Sequence, residues 1–293
     1  MINSSGFFGS PAPLPEQDGA GLEILHSSQS GPCVLLKGHR NDRLVVYKCL
    51  KSEFRNDPVQ QRMLRREYEI GASLTHPGIC EVLDWVVLPG YGDAIEMEWV
   101  DGAPLGEWLS RHEGDVQLVS KVLRDICDAL SYIHHKQVIH KDLKPENILI
   151  TRFGDYVKIL DFGLSDTNSI LTGKGPAGTP RYAAPEVLDG QSADALSDIY
   201  SLGRIIESCG PAFKHIAKKC SATDRRRRYA SSEEVRDALE SVSGKKSLLP
   251  PLAAALVLLG ALAAWFFLLR EDPVEKIFTD AVEQVRDASA TPR

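Results

Sequence analysis

The sequence predicts an α+β fold with two lobes, a small β-rich lobe followed by a larger helical lobe, and a cleft between them. The small lobe is indicated by short β-rich runs over residues 33–37, 43–50, 80–88 and 93–100, with one helical stretch at 59–74. The larger lobe is indicated by a long amphipathic helix, in which apolar side chains recur at spacings of three and four. These side chains are Val116, Val119, Leu123, Ile126, Leu130 and Ile133.

The two lobes are predicted at about residues 21–100 and 101–242, and together they make one domain over 21–242. N-terminal to this domain, residues 1–20 mix Pro, Gly and Ser without helical or strand periodicity. The segment has no basic stretch followed by an apolar one. It is therefore predicted to be a flexible arm and not a signal peptide.

The composition is that of an ordinary globular chain. Of the 293 residues, 25% are charged and 43% are hydrophobic, which suits one large domain or two small ones. The formal net charge is −6. Because the chain carries no global basic field, nucleic acid is not expected as a partner.

An apolar segment near the C-terminus has the length of a membrane span. Residues 247–269 contain no charged side chain, and a helix over 248–269 would be about 33 Å long, which matches a bilayer core. The alternative is a buried helix of a soluble domain, but such helices rarely run this long without a polar residue. Lys245 and Lys246 precede the segment and place its N-terminal side in the cytoplasm. The sequence predicts a basic linker at 243–247 and a single transmembrane helix at 248–269.

Residues 270–293 are predicted to form a short amphipathic tail on the extracytoplasmic side. Asp272, Pro273 and Glu275 have the pattern of an N-cap, a first-turn proline and a capping-box glutamate. An apolar stripe at helical spacing follows, and it would either lie on lipid or pair with a second copy in a homodimer. The stripe consists of Val274, Ile277, Phe278, Ala281, Val282 and Val285.

The densest group of candidate catalytic residues lies in the segment VIHKDLKPENILI, residues 138–150. Asp142 precedes Asn147 by five residues, and Asp161 follows an apolar pair further along the chain. Two acids and an amide at loop ends beside β residues would make a hard-oxygen site suited to magnesium. Asp161 alone would be an ordinary turn-forming residue before Gly163, but the ordered set favours a functional site.

This segment resembles the catalytic loop of the eukaryotic-like (bacterial-type) serine/threonine protein kinases. The resemblance implies a bilobal protein-kinase-like fold. It also implies that Asp142 accepts the proton of the substrate hydroxyl and that Lys144 meets the γ-phosphate of ATP. Asn147 and Asp161 would hold Mg²⁺, for which Mn²⁺ could substitute. Residues 178–186, GTPRYAAPE, are similar to the family's segment that receives the substrate peptide.

The β-rich lobe resembles the nucleotide-binding half of the same family. Residues 45–48, VVYK, are similar to the strand that carries the ATP-binding lysine, here Lys48. Glu67 lies nine residues before His76, which is the family's interval for the helix glutamate that pairs with this lysine. Glu67 is therefore predicted to be the partner of Lys48, in preference to Glu69.

The segment IEMEWV, which ends at Val100, resembles the hinge strand between the lobes. This resemblance implies that the Glu98 carbonyl and the Val100 amide meet adenine and that Met97 is the gatekeeper. It also assigns two further residues to the nucleotide site, Gly31 and Leu149.

Two segments of the helical lobe extend the resemblance. The segment SDIYSLG contains Asp198 and is similar to the buried helix whose aspartate braces the catalytic loop. Arg228, which precedes Tyr229, fits the arginine that pairs with Glu186 in this family. Both predictions concern the support of the site and not the reaction itself.

Several features depart from the family pattern. Where GxGxxGxV is expected, residues 26–34 keep a single glycine, Gly31, so the nucleotide contact should be weaker or reshaped. Gly71 stands where the family packs a bulky side chain behind the site. Lys141 replaces the arginine of regulated kinases. The stretch at 203–213 is short, which predicts that the family's substrate-docking helix is missing.

The resemblance implies a membrane-anchored serine/threonine protein kinase with its catalytic domain in the cytoplasm. It would use ATP, phosphorylate hydroxyl groups of protein substrates including itself, and contact the lipid bilayer. One alternative is a pseudokinase that acts as a membrane-tethered binding module, as the poor glycine loop and Gly71 would suggest. A small-molecule phosphotransferase is the other, although the Lys144-Pro145 pair argues against it.

Overall fold

In the computed structural model, which describes residues 21–27, 31–162, 181–243 and 273–289, five antiparallel strands build the N-terminal lobe. Their spatial order is β1-β2-β3-β5-β4. In β2, buried residues alternate with half-buried ones, because successive side chains of a strand point to opposite faces. The strands are β1 Glu23–Ser27, β2 Cys33–Arg40, β3 Arg43–Leu50, β4 Val82–Leu88 and β5 Gly92–Glu98.

One helix, α1 (Pro58–Ala72), accompanies this sheet. Asp57 caps its N-terminus by accepting the Val59 N–H at 2.7 Å, and Pro58 occupies the first turn, where proline costs little. The predicted helical stretch at 59–74 is thus confirmed, with both ends shifted by one or two residues. The helix carries Glu67 on the side that faces β3.

The larger lobe is mainly helical and holds a small three-stranded sheet in the order β6-β7-β8. These strands are β6 Gly102–Pro104, β7 Ile148–Thr151 and β8 Val157–Ile159. The described helices are α2 Leu105–Arg111, α3 Val116–His135, α4 Pro185–Leu188, α5 Ala195–Ile206, α6 Lys214–Cys220 and α7 Ser232–Ser243. The predicted order of a β-rich lobe followed by a helical lobe is confirmed.

The centre of the helical lobe is α3, which is buried along most of its length. All six side chains of its predicted apolar stripe pack in the core of this lobe, five of them buried and Val116 partly buried. Each fully buried aliphatic side chain of this size contributes about 1.5–3 kcal/mol. The stripe therefore fixes α3, and with it the start of the loop that follows.

The structure contains strands that the periodicity of the sequence did not predict. All five residues of β1 are exposed, so this strand lacks the alternation that would have marked it. β6 and β8 have three residues each, which is too short for a periodic pattern. Sequence periodicity found the long strands and missed the short or fully exposed ones.

Gly71 has a packing reason in the structure. A Cβ atom at this position would lie 2.5 Å from Cγ2 of Val82, which is closer than real contacts allow. The space beside position 71 is filled by Val82 of β4. Glycine at position 71 therefore belongs to a close approach of α1 and β4.

The chain divides into two units, Met1–Gly244 and Lys245–Arg293. In the second unit the structure describes one helix, α8 (Pro273–Ser289), which confirms the helix predicted from its N-terminal signals. Ile277 and Phe278 of its apolar stripe are 70% and 72% exposed.

The arm at 1–20 and the predicted membrane span at 248–269 lie outside the described residues, as does the predicted linker apart from Ser243. Within the part of the chain that is described, no helix is both long enough and apolar enough to cross a bilayer.

Candidate active site

The loop between α3 and β7 brings three predicted site residues together. Lys144 Nζ donates to Asp142 Oδ2 at 2.6 Å, and Asn147 Nδ2 donates to the same oxygen at 3.0 Å. Asn147 Nδ2 also donates to the Asp142 carbonyl at 2.8 Å. The Asp142 carboxylate is thus oriented by two donors, while a third of its side chain stays open to solvent.

Asp198 of α5 holds the backbone of this loop through hydrogen bonds. Its side chain is 1% exposed, and its two oxygens accept the backbone N–H groups of His140 at 2.8 Å and Lys141 at 3.0 Å. His134 at the end of α3 adds a third contact at 2.9 Å. Lys141 has a φ of 68°, a conformation that non-glycine residues rarely adopt, and the carboxylate holds it there. The predicted brace is confirmed.

His140 connects the loop to the strand that precedes Asp161. Its ring is fully buried. Nδ1 accepts the Asp142 N–H at 3.3 Å, and Nε2 lies 3.0 Å from the Leu160 carbonyl. In a neutral imidazole one nitrogen accepts and the other donates, so this arrangement places the proton on Nε2. His140 therefore fixes the backbone on both sides of the site.

Lys48 joins the two lobes across the cleft. Its Nζ donates to Glu67 Oε1 at 2.6 Å and to Asp161 Oδ1 at 2.8 Å. Glu67 and not Glu69 is the partner, since Glu69 lies on an exposed face and pairs with Arg65. The three groups meet at one point although they come from different elements. Lys48 lies in β3, Glu67 in α1, and Asp161 directly after β8.

The charged groups of this cluster shift one another's pKa values. Burial alone would lower the pKa of Lys48, but the Asp161 and Glu67 carboxylates outweigh it and hold that pKa well above its usual range. Burial would raise the pKa of Asp161, yet Lys48 lowers it overall. The pKa of Glu67 is raised, first by burial and then by the charge of Asp161. Lys48 is accordingly a fixed cation beside an ionised Asp161.

The donor set fits a magnesium ion that is shared with a nucleotide. Because Asn147 Nδ2 donates to Asp142, the amide oxygen of Asn147 is turned away from that residue and can serve as a ligand. A third of the Asp161 side chain is exposed. Among the described residues, no group of three His, Cys, Asp or Glu side chains could hold a metal alone. Mg²⁺ commonly takes one or two carboxylates together with substrate phosphates, and these residues suit that mode.

The predicted hinge residues lie where β5 leaves the small lobe. Glu98 ends β5, and its side chain accepts from Lys158 Nζ at 2.5 Å. Its carbonyl receives a weak contact from the Cys80 thiol at 3.9 Å. Val100 follows and is buried, and Leu149 is half-buried in β7. Lys158 was not singled out from the sequence, because a lysine in a short strand normally indicates a solvated face.

The structure describes only part of the connection between β1 and β2. Gly31 is described next to β2, but residues 28–30 are not among the described residues. Cys33, at the start of β2, is partly buried and packs against the apolar cluster that contains Trp85 and Ile95. The pKa of its thiol is raised to about 11, chiefly by burial, so it stays protonated at neutral pH.

A buried ion pair secures the segment that begins after residues 163–180, which lie outside the described residues. Arg228 Nη1 and Nη2 donate to the two oxygens of Glu186 at 2.6 and 2.8 Å, and the Arg228 side chain is fully buried. The predicted pair is confirmed. Burial would raise the pKa of Glu186, but hydrogen bonds from Arg228 lower it overall. Arg225 also belongs to this cluster, since its Nε lies 3.7 Å from Glu186 Oε1, and it forms a second ion pair with Asp194.

Comparison with known proteins leads to the protein kinases, the family that the sequence motifs resemble. A family model described as the protein kinase domain matches residues 22–209, more than half of the chain. The probable serine/threonine-protein kinase SCO3848 of Streptomyces coelicolor is 37% identical, over 57% of this chain and 26% of that protein. PknB of Mycobacterium tuberculosis is 34% identical, over 63% of this chain and 31% of that protein. The chain thus matches less than a third of the length of these relatives.

Among solved structures, the PknI kinase domain of Mycobacterium tuberculosis has a similar fold. The TM-score is 0.57 at 24% identity, and the match covers 76% of this chain and 96% of that one. At this identity the likeness speaks for the bilobal fold alone.

Proposed function

The chain belongs to the protein kinase family, and on that premise we propose that it is a serine/threonine protein kinase. It would transfer the γ-phosphoryl group of ATP to hydroxyl groups of protein substrates, including its own. The observation that carries this proposal is the pairing of Lys48 with both Glu67 and Asp161, in the same cleft as the oriented Asp142. A binding module would not require all of these groups.

Each residue has a defined task in this proposal. Lys48 and Lys144 place positive charge against the phosphate oxygens. Asn147 and Asp161 would hold Mg²⁺, which supplies further charge neutralisation when bound. Asp142 accepts the proton of the attacking hydroxyl, and its contacts with Lys144 and Asn147 fix the direction of its carboxylate.

The pseudokinase alternative has no support from the comparisons. It depended on the poor glycine loop and on Gly71, and the contact with Val82 gives Gly71 a structural reason. The relatives are described as serine/threonine kinases, one of them as probable. Activity is therefore the better proposal.

The proposal includes a membrane anchor. Its support is the uncharged segment at 248–269 and the preceding Lys245 and Lys246, which favour a single span with the kinase domain in the cytoplasm and a short extracytoplasmic tail. Retention in the membrane pellet after alkaline washing, with loss of retention on deletion of 248–269, tests this part. Release of the intact chain by the wash would contradict it.

The activity is tested by incubating the chain with labelled ATP, magnesium and a generic protein acceptor, followed by analysis of the labelled amino acids. We expect phosphoserine and phosphothreonine on the acceptor or on the chain itself. The matched control is Asp161→Asn, which keeps the shape of the side chain and removes its charge. Equal labelling by the two proteins, or labelled tyrosine alone, would contradict the proposal.

A further inference from the structure

The turn between β7 and β8, residues 152–156, carries the two most exposed large apolar side chains that are described in the unit Met1–Gly244. Phe153 is 79% exposed and Tyr156 is 61% exposed. Single apolar residues are common on protein surfaces and carry no information, but two aromatic side chains on one short turn form a patch. The β7–β8 turn is therefore a candidate contact surface.

Hydrogen bonds hold the β7–β8 turn in one conformation. The Thr151 N–H donates to the Tyr156 carbonyl at 2.9 Å, and the Tyr156 N–H donates to Thr151 Oγ1 at 3.0 Å. Thr151 Oγ1 donates to the Phe153 carbonyl at 2.9 Å. Gly154, with a φ of 82°, permits the reversal of the chain. Because the backbone that carries the two rings is already fixed, little conformational entropy is lost when they contact a partner.

The charged side chains around the turn have partners of their own. Arg152 pairs with Asp101 at 3.3 Å, and Lys121 of α3 pairs with Asp125 at 3.0 Å. The Asp155 carboxylate accepts an indole N–H from α2 at 2.8 Å. Two basic groups against three acidic ones make no strong field of either sign. The patch therefore favours a partner that takes up aromatic side chains without requiring charge.

The β7–β8 turn lies beside the end of α7, from which the chain continues to its C-terminal segment. Ser120 of α3 donates through Oγ to the Leu239 carbonyl of α7 at 3.0 Å. The next residue of α3, Lys121, donates through Nζ to the Asp155 carbonyl of the turn at 2.9 Å. α7 ends at Ser243, four residues or about 6 Å beyond Leu239. Two successive residues of α3 thus contact both the β7–β8 turn and the last part of α7.

The length of the chain after α7 points to the partner. Four residues lie between Ser243 and Leu248, where the proposed span begins. Even when fully extended, this stretch covers at most about 18 Å. With the proposed anchor in the bilayer, the end of α7 and the surface next to it stay close to the lipid headgroups. Aromatic side chains are favoured at this level of a membrane, where apolar and polar groups meet.

We propose that the β7–β8 turn docks onto the surface of the lipid bilayer through Phe153 and Tyr156. The proposal rests on the proposed membrane anchor and adds a second contact, which holds the helical lobe in one orientation at the membrane. The anchor makes this contact intramolecular, so that two aromatic rings suffice for it. Since the charged groups of the turn are already paired, docking requires no anionic lipid and persists in high salt.

The test uses the full chain with Phe153→Trp in vesicles of phosphatidylcholine that is brominated near the headgroup end of its acyl chains, because bromine quenches tryptophan. Wild type supplies the background from the four native tryptophans. The matched control is Val59→Trp, at an exposed apolar position of α1 in the other lobe. We expect the emission added by Phe153→Trp to be shifted to the blue and quenched at low and high salt. The emission added by Val59→Trp should be neither shifted nor quenched.

Equal quenching of the two added tryptophans, or quenching of neither, would overturn the proposal. Quenching only in the presence of anionic lipid would overturn it as well, and so would a patch that is covered by a second copy, seen as a dimer in which Phe153→Trp is protected from bromine. The alkaline wash reports on the anchor separately. If the wash releases the chain while Phe153→Trp is quenched, the docking surface stands and the anchor fails. If the chain is retained without quenching, the anchor stands and the docking surface fails.

Discussion

The catalytic loop and the β1–β2 hairpin serve the same proposed reaction, but they are held in different ways. The catalytic loop is fixed by the buried groups of Asp198, His140 and Asn147, each through hydrogen bonds to backbone or carboxylate. β1, in contrast, is exposed along its whole length, and its pairing with β2 is irregular between Ile24 and His26.

The difference corresponds to the different tasks that the loop and the hairpin would have in the proposed reaction. The loop must hold a carboxylate in one direction, which requires side chains of particular types at fixed points. In the proposed reaction the hairpin would contribute backbone groups to the nucleotide, so its sequence could change as long as the strand pairing persists. We therefore expect changes around the loop to reduce stability and kcat, and changes in the hairpin to affect mainly the KM for ATP.

The largest effect on stability should come from Arg228→Ala, in the helical lobe that carries the catalytic loop. The change leaves the Glu186 carboxylate buried without its bidentate partner, and breaking such a pair costs about 3–5 kcal/mol. Chemical denaturation measures this loss. The control Arg227→Ala removes a neighbouring arginine whose side chain is 82% exposed, and it should change stability little.

The same pair predicts a pH dependence. Since the pKa of Glu186 is lowered in the folded state, its contribution is complete above the unfolded pKa of about 4.3 and is lost as pH falls through the folded value. The stability gap between wild type and Arg228→Ala should therefore be constant near neutral pH and shrink below about pH 4.3. A gap that widens on acidification would contradict the assignment.

Asp198→Asn should have the next largest effect. It replaces a charged acceptor of two backbone N–H groups by an amide that can accept only at one oxygen, which costs about 1.5–3 kcal/mol. Since Lys141 would lose the contact that holds its positive φ, kcat should fall as well. Thermal denaturation and steady-state kinetics measure the two effects, with the exposed Asp189→Asn as control. A normal kcat in a less stable protein would show that the brace is not needed for catalysis.

Gly71→Ala should have a smaller effect and tests the close approach of α1 and β4. Alanine gains about 1 kcal/mol of helix propensity, but overpacking against Val82 costs about 1–3 kcal/mol. We expect a small net loss of stability that is reversed when Val82→Ala is added. If Gly71→Ala alone is stabilising, the contact is not tight and the helix tolerates a side chain here.

The smallest effect is expected from Gly31→Ala in the hairpin. The KM for ATP should rise by about two- to fivefold, the equivalent of one ordinary hydrogen bond, with kcat unchanged. Steady-state kinetics with varied ATP distinguishes the two parameters. A large fall in kcat would show that the hairpin takes part in positioning the reacting groups and would remove the contrast with the catalytic loop.

The sequence predicted the parts of the site that depend on spacing. Asp142, Asn147 and Asp161 stand at motif intervals, and Glu67 could be preferred to Glu69 by its distance from His76. The contacts of Lys158 with Glu98 and of Val82 with Gly71 could not be predicted. They join residues that are distant in sequence, and neither leaves a periodic or spacing signal.

The most direct test of the proposed catalytic role of Asp142 compares the rate of phosphoryl transfer by wild type and Asp142→Asn. ATP affinity is measured on the same samples. We predict that the variant transfers phosphate about 10²- to 10⁴-fold more slowly, because the proton acceptor is lost. Its affinity for magnesium and ATP should be unchanged, since Lys48 and Asp161 remain. Equal rates in the two folded proteins would contradict the account and would mean that the cleft binds without catalysing transfer.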